Sequence, residues 1–202
     1  MAAPENDLID TLVGIAPGSA LDAIRARRPA AREHTQRSYE VLLTPAEPGD
    51  MSEAERFAVA SYVSGIHASA EMAAHYDAGV EARAPALAEP IAAAVAATRT
   101  SGPYGAFPAG PLSAEDQSGS TYAVPAEVTA ALGPRLAAAL AHAHFLIFHP
   151  RDASADAFRP LFDAGWSTTG IVTLSQLISF LAYQIRVVGG LRVLASRPGA
   201  PA

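Results

Sequence analysis

The stretch "MSEAERFAVASYVSGIHASAEMAAHYDAG", residues 51–79, decides the fold class of this chain. Ser52 is a good helix N-cap, because its hydroxyl can take one of the amide hydrogens left free at the first turn. Glu53 and Glu55 suit the positive end of the helix dipole. Val59, Tyr62, Val63, Ile66, Ala70 and Ala73 then recur at the three-and-four spacing of one buried helical face. The spacing predicts a single helix that Gly79 stops.

Outward from this stretch the same signals recur. Residues 1–17 form a leader with one apolar turn, "LIDTLVGI". Residues 18–28 read as a short helix capped by Ser19 or Asp22, and residues 29–44 as a further helix stopped by "TPAEPGD". After it come "ALAEPIAAAVAATR", then "EVTAALGPRLAAALAHAHFLIF" running as one helix to "HP", then "SADAFRPLFDAG" with Gly165 at its end. Residues 167–195 read as a long helix with Ser167 as its cap, apolar nearly all round and so largely buried. No strand alternation and no hairpin signal interrupts this series. The expected fold is all-α, a helical bundle.

Residues 101–125, "SGPYGAFPAGPLSAEDQSGSTYAVP", hold four glycines and four prolines and keep neither a helical nor a strand period. A loop this long in a compact domain is usually functional or an interaction arm. Its aromatics Tyr104, Phe107 and Tyr122 predict packing onto this subunit or a neighbour. The expected organisation is an extension over 1–37, a domain over 38–197 made of halves 38–100 and 126–197 joined by that loop, and a disordered tail over 198–202.

Composition narrows the function classes. Half of the 202 residues are hydrophobic and 17% are charged, as in a soluble globular protein. No apolar run approaches the ~20 residues of a membrane span, and "MAAPENDLID" does not read as a secretory signal. The cytoplasm is therefore the expected location and no membrane partner is expected. The formal net charge is −6, and all 14 basic residues are Arg, which with the many alanines suggests a GC-rich bacterial genome. An acidic chain without a basic stripe is not expected to bind nucleic acid. Cysteine is absent, so no disulfide or thiol chemistry can be run by this chain alone.

Within the opening stretch His67, Glu71 and His75 stand four apart. On one helix His67–Glu71 and Glu71–His75 can each bridge a ligand, but His67 and His75 lie ~12 Å apart along the axis, too far to share one ion. A metal would need further ligands, with His142 and His149 on one face of a later helix and His144 turned away. The alternatives are a polar helix edge and an acid–base pair. His67 and Glu71 continue the apolar ridge of Val59 and Val63, so they need partners or water, and buried carboxylate–imidazole pairs suit proton transfer.

On these residues the chain resembles a known family. "MSEAERFAVASYVSGIHASAEMAAHY" resembles the signature helix of the carboxymuconolactone decarboxylase and AhpD-like alkylhydroperoxidase superfamily. "HPRDASADAFRPLFDAGWSTTGIVTLSQLISFLAYQIRVVGGLRVL" is similar to its C-terminal helices. The likeness covers roughly residues 38–197 and is nearest to a cysteine-less branch. It implies an AhpD-like bundle that forms trimers or hexamers, with no cofactor. Matching His75 to the family histidine places Ala68 and Glu71 where redox members carry their two cysteines, so the peroxidase cycle is not implied. Glu55 lies near the family's relay glutamate, with Arg56 at the matching position.

The resemblance instead implies acid–base chemistry of the lactone-decarboxylase type. Glu71 and His75 would share a proton, His67 would orient the substrate, and Arg56, Arg83 or Arg186 would hold a carboxylate. The alternative is a non-catalytic subunit or binding scaffold that pairs with a cysteine-bearing relative. Among the remaining residues, Trp166 is expected to staple its turn into the core. Gln184 and Arg186 are expected on an exposed edge of the last helix, and Arg25, Arg27, Arg28 and Arg32 on a solvated face.

Overall fold

The computed structural model describes residues 7–122 and 124–196. The expected disordered tail over 198–202 and the first six residues of the leader lie outside that range. Helix makes up 72% of the described residues, and no strand occurs among them, so the fold class is all-α. Among these residues ten α-helices run in order: α1 Leu8–Val13, α2 Ala20–Ala26, α3 Pro29–Leu43, α4 Glu53–Ile66, α5 Ala70–Arg83, α6 Ala88–Thr98, α7 Ala126–Leu132, α8 Pro134–Phe148, α9 Arg159–Asp163 and α10 Thr168–Ala195.

Helix α4 is the centre. Every residue from Arg56 to Ile66 is buried, and α5, α6, α8 and α10 pack around it. Its start obeys the sequence signal: the Ser52 hydroxyl accepts from the Glu55 amide, and the Glu55 carboxylate accepts from the Ser52 amide. Small residues let its neighbours come close. A Cβ on Gly65 would run into Val95 of α6.

The predicted single helix over 52–79 is two helices. His67 caps α4, and Ala68 takes a left-handed conformation at φ 55°. The amides of Ala68 and Ser69 bond back to the carbonyls of Gly65 and Ser64, which closes α4 before α5 begins at Ala70. An alanine there costs about 1 kcal/mol or more and carries no glycine signature. Gly79 does not stop α5, which continues to Arg83. It is small because the Phe57 ring of α4 lies against it. The predicted helix over 127–148 also divides, at Gly133–Pro134 between α7 and α8.

Helix α10 begins at the expected cap, where the Ser167 hydroxyl accepts from the Gly170 amide. Its length is the one expected, but with a mean hydropathy of 1.5 it reaches the range of a membrane span by length and composition, although no unbroken apolar run of ~20 residues occurs in it. Packing against α1, α3, α4 and α8 buries ten of its 28 residues and 44% of its apolar window, so the helix is partly rather than largely buried. Gln184 is not on an exposed edge. It is fully buried and accepts a 2.5 Å bond from the Tyr76 hydroxyl of α5, while Arg186 is exposed. Trp166 packs into the core and donates to the Arg135 carbonyl at 3.0 Å.

Two of the four clustered arginines also depart from the solvated-face expectation. Arg25 and Arg32 are buried and bond to Asp7, Asp10 and Asp22, which ties α1 and α2 to α3. Arg27 and Arg28 are exposed. Arg56 is buried too, donating to the carbonyls of Leu42, Pro48 and Met51 at 2.7, 2.7 and 2.9 Å. Helix α3 runs through residue 38, so the expected extension over 1–37 is joined to the neighbouring domain by unbroken helix.

Residues 101–122 pack on their own subunit. The Tyr104 amide donates to the Phe148 carbonyl at 2.6 Å, and His149 reaches the Ser120 carbonyl at 2.9 Å. The rings of Tyr104 and Tyr122 lie against His149 and His144, and Arg151 sits over Phe107. The loop holds one 3-10 turn, Pro111–Glu115.

The close approach at Gly79 gives a test. Gly79→Val should lower unfolding stability by about 1–3 kcal/mol through overpacking against Phe57, read as a lower urea midpoint with unchanged slope. Gly14→Ala, at an open left-handed cap, should cost less.

Candidate functional site

The break at Ala68 separates the three residues that the sequence set in one row. His67 ends α4, whereas Glu71 and His75 lie on α5. No hydrogen bond joins Glu71 to His75 among the described residues. Glu71 is partly exposed in the first turn of α5 and accepts an ion pair from Arg192 of α10 at 2.7 Å. His75 is half-buried, and its Nε2 takes the Tyr39 hydroxyl at 3.1 Å. Its ring lies 5.0 Å from that of Tyr76. Burial pushes the pKa of His75 down and that of Tyr39 up, so both groups are neutral at pH 7.

Glu55 is committed to structure. Besides its capping box it holds Arg135 at 2.8 Å, and Arg135 in turn covers the Trp166 ring. The carboxylate that the resemblance set beside the relay position thus joins α4 to α8.

His67 faces an open space. It lines a cleft of about 550 Å³ between α4, α8, α10 and the start of the 101–125 loop. Ile66, Leu146, Ile147 and Ile178 supply apolar wall, and Thr100, Ser179 and Arg186 supply polar groups. The His67 Nδ1 lies 2.9 Å from the Val63 carbonyl, which can only accept, so Nδ1 carries the proton. Nε2 of the neutral ring then holds a free lone pair. Burial pushes the His67 pKa down, the Val63 bond opposes this, and the Arg186 charge adds to the fall.

Of the three arginines offered for a carboxylate, the structure separates one. Arg56 is filled by three backbone carbonyls. Arg83 is held by Glu53 at 3.0 Å and lies over Phe57. Arg186 has only its own helix for a partner, the Ala182 carbonyl at 2.7 Å, and meets no carboxylate among the described residues.

The histidines of the second half do not converge. His142 bonds to Ser175, His144 to the Thr98 carbonyl, and His149 to Asp152 and Ser120. No group of three His, Asp or Glu side chains is placed to hold a metal ion among the described residues. His142 and His144 are both buried but reach different neighbours, α10 and α6 respectively. Tyr39 and Arg192 escaped the sequence reading, since a partner 36 or 121 residues away leaves no local pattern. No protein-family profile matches this chain, and no curated protein matches it.

The buried histidines give a pH dependence with a definite sign. His142 is pushed down from 6.5 to about 4 by burial, and His67, His75 and His144 are lowered as well. Each folded pKa lies below the unfolded one, so the unfolded chain binds more protons as pH falls below about 6.5. Stability should be full above that pH and decline toward pH 4, with His142 alone contributing on the order of 3 kcal/mol of the loss. Urea midpoints at pH 7.5 and 5 should differ accordingly, and less in His142→Gln.

Proposed function

We propose that this chain is an AhpD-like protein of the carboxymuconolactone decarboxylase type that performs cofactor-free proton transfer on a small carboxylate in the His67 cleft. The observation that carries this reading is a neutral imidazole with an open Nε2 and a guanidinium that meets no carboxylate among the described residues, both lining an apolar-walled cleft. Arg186 would hold the carboxylate, and a guanidinium presents donors that match one. His67 Nε2 would take a proton from a neighbouring acidic O–H or C–H. A base must be unprotonated and within reach at working pH, and burial keeps His67 so. The sequence likeness over residues 38–197 supports the scaffold part of the reading. Glu71 and His75, to which the resemblance assigned the chemistry, become positioning groups: Glu71 anchors α10 through Arg192, and His75 anchors α3 through Tyr39.

A second reading has its own observation. Val172, Tyr183, Val193 and Leu194 of α10 are 52, 44, 58 and 37% exposed, an apolar content that suits a trimer or hexamer, or a cysteine-bearing relative as partner. In that reading the chain is a subunit or binding scaffold without turnover.

Hydrogen–deuterium exchange separates the two. Small carboxylates with an acidic C–H are incubated with the protein in D2O and followed by NMR. His67→Gln should slow catalysed exchange by about 10²–10⁴-fold, and Arg186→Gln should raise the substrate concentration needed. Glu71→Gln should leave exchange within a few-fold of the parent. Exchange that survives His67→Gln but is lost in Glu71→Gln would return the chemistry to the α5 pair.

A further inference from the structure

A second cleft, of about 660 Å³, lies on another face of α10, where the α2–α3 corner meets it. Its composition is two-sided. Ile24, Ala31, Val187 and Leu191 give it an apolar surface, and Ile24 is 40% exposed. Arg25, Arg27, Arg28 and Arg32 line the rest.

The four arginines are not equivalent. Arg25 and Arg32 are each 9% exposed and are held by the carboxylates of Asp7, Asp10 and Asp22, so they form a fixed base. Arg25 spends only Nη1 on these pairs. Its Nε and Nη2 meet no acceptor among the described residues, although the side chain is nine-tenths buried and lines the cleft. Arg27 and Arg28 stand exposed at the mouth with no carboxylate partner among the described residues. At the inner edge the Tyr183 and Thr35 hydroxyls bond to each other at 2.8 Å. Donors thus outnumber acceptors locally, in a chain whose net charge is −6.

The geometry points to a binding site for a soluble single-chain anionic amphiphile, with its carboxylate on Arg25, Arg27 and Arg28 and its alkyl chain along Ile24, Val187 and Leu191. Guanidinium–carboxylate bonds are charge-assisted and directional, and each methylene of the chain removed from water adds to binding. A methylene is about the size of a water, whose share of the liquid is ~30 Å³, so a ten-carbon acid fits inside the cleft volume. Neither half of the site would hold such a ligand alone. The rim charges are solvent-screened, and the apolar strip is short. This site is independent of the His67 cleft.

Calorimetric titration of the full chain with decanoate, below its micelle-forming concentration, tests the assignment. Decanoate should bind saturably, one per chain. Acetate, which has the head alone, and decyltrimethylammonium, which has the chain with the opposite charge, should not. Arg27→Gln/Arg28→Gln alters only exposed, unpaired side chains and should weaken decanoate roughly tenfold or more without changing the circular dichroism, while His67→Gln should leave it unchanged. The proposal is overturned if the cationic amphiphile binds equally well, if the double variant binds like the parent, or if His67→Gln abolishes binding. It also falls if phosphatidylglycerol vesicles bind the chain while monomeric decanoate does not.

Discussion

The burial of α4 on every side is the constraint on which the rest of the structure depends. A helix with eleven consecutive buried residues has no solvent face to spend on polar groups. Its side chains are accordingly small or apolar, and most of its polar members are tied down, although the fully buried Ser64 hydroxyl meets no partner among the described residues. The Ser61 hydroxyl donates to Asp77 at 2.5 Å, and Tyr62 donates to Thr98 at 2.9 Å. Arg56, at the entry to the buried run, is converted into a clamp on residues 42–51 through three carbonyls. Each of these bonds exists because an unpartnered polar atom in that position would cost about 1–3 kcal/mol. Close packing around α4 also fixes where α5 and α10 can lie, and so where His67 ends up.

The all-α class, the position of most helices and the caps at Ser52 and Ser167 were legible because they are local. Each depends on a hydroxyl, a carboxylate or an apolar period within a few residues. What escaped was local geometry without local chemistry. Ala68 is left-handed although alanine is the strongest helix former, and tertiary packing decided against propensity there. The opposite error occurred at Gly79, whose glycine reads as a stop but serves a close approach to Phe57. Gly133–Pro134 carried a turn signal in plain view, yet the apolar period on either side masked it.

The same break explains why the candidate site was only partly readable. His67 stands out in the sequence as a polar residue at the end of an apolar ridge. Its supposed companions Glu71 and His75 were joined to it by a helical register that stops one residue later. The buried arginines failed for a different reason. Arg25 and Arg32 differ from Arg27 and Arg28 only in the direction each faces, and the acids that hold them come from α1 and α2. A cluster of like charges in sequence is a pair of unlike environments in space.

The contact between Glu71 and Arg192 has a property beyond its Coulomb attraction. Glu71 stands in the first turn of α5, and Arg192 in the last turn of α10. Backbone dipoles favour negative charge at a helix beginning and positive charge at a helix end. Each partner is thus in the field that suits it, and the joint has a sense of direction. Were the two residues exchanged, the ion pair itself would be conserved, but both groups would then oppose the helices that carry them.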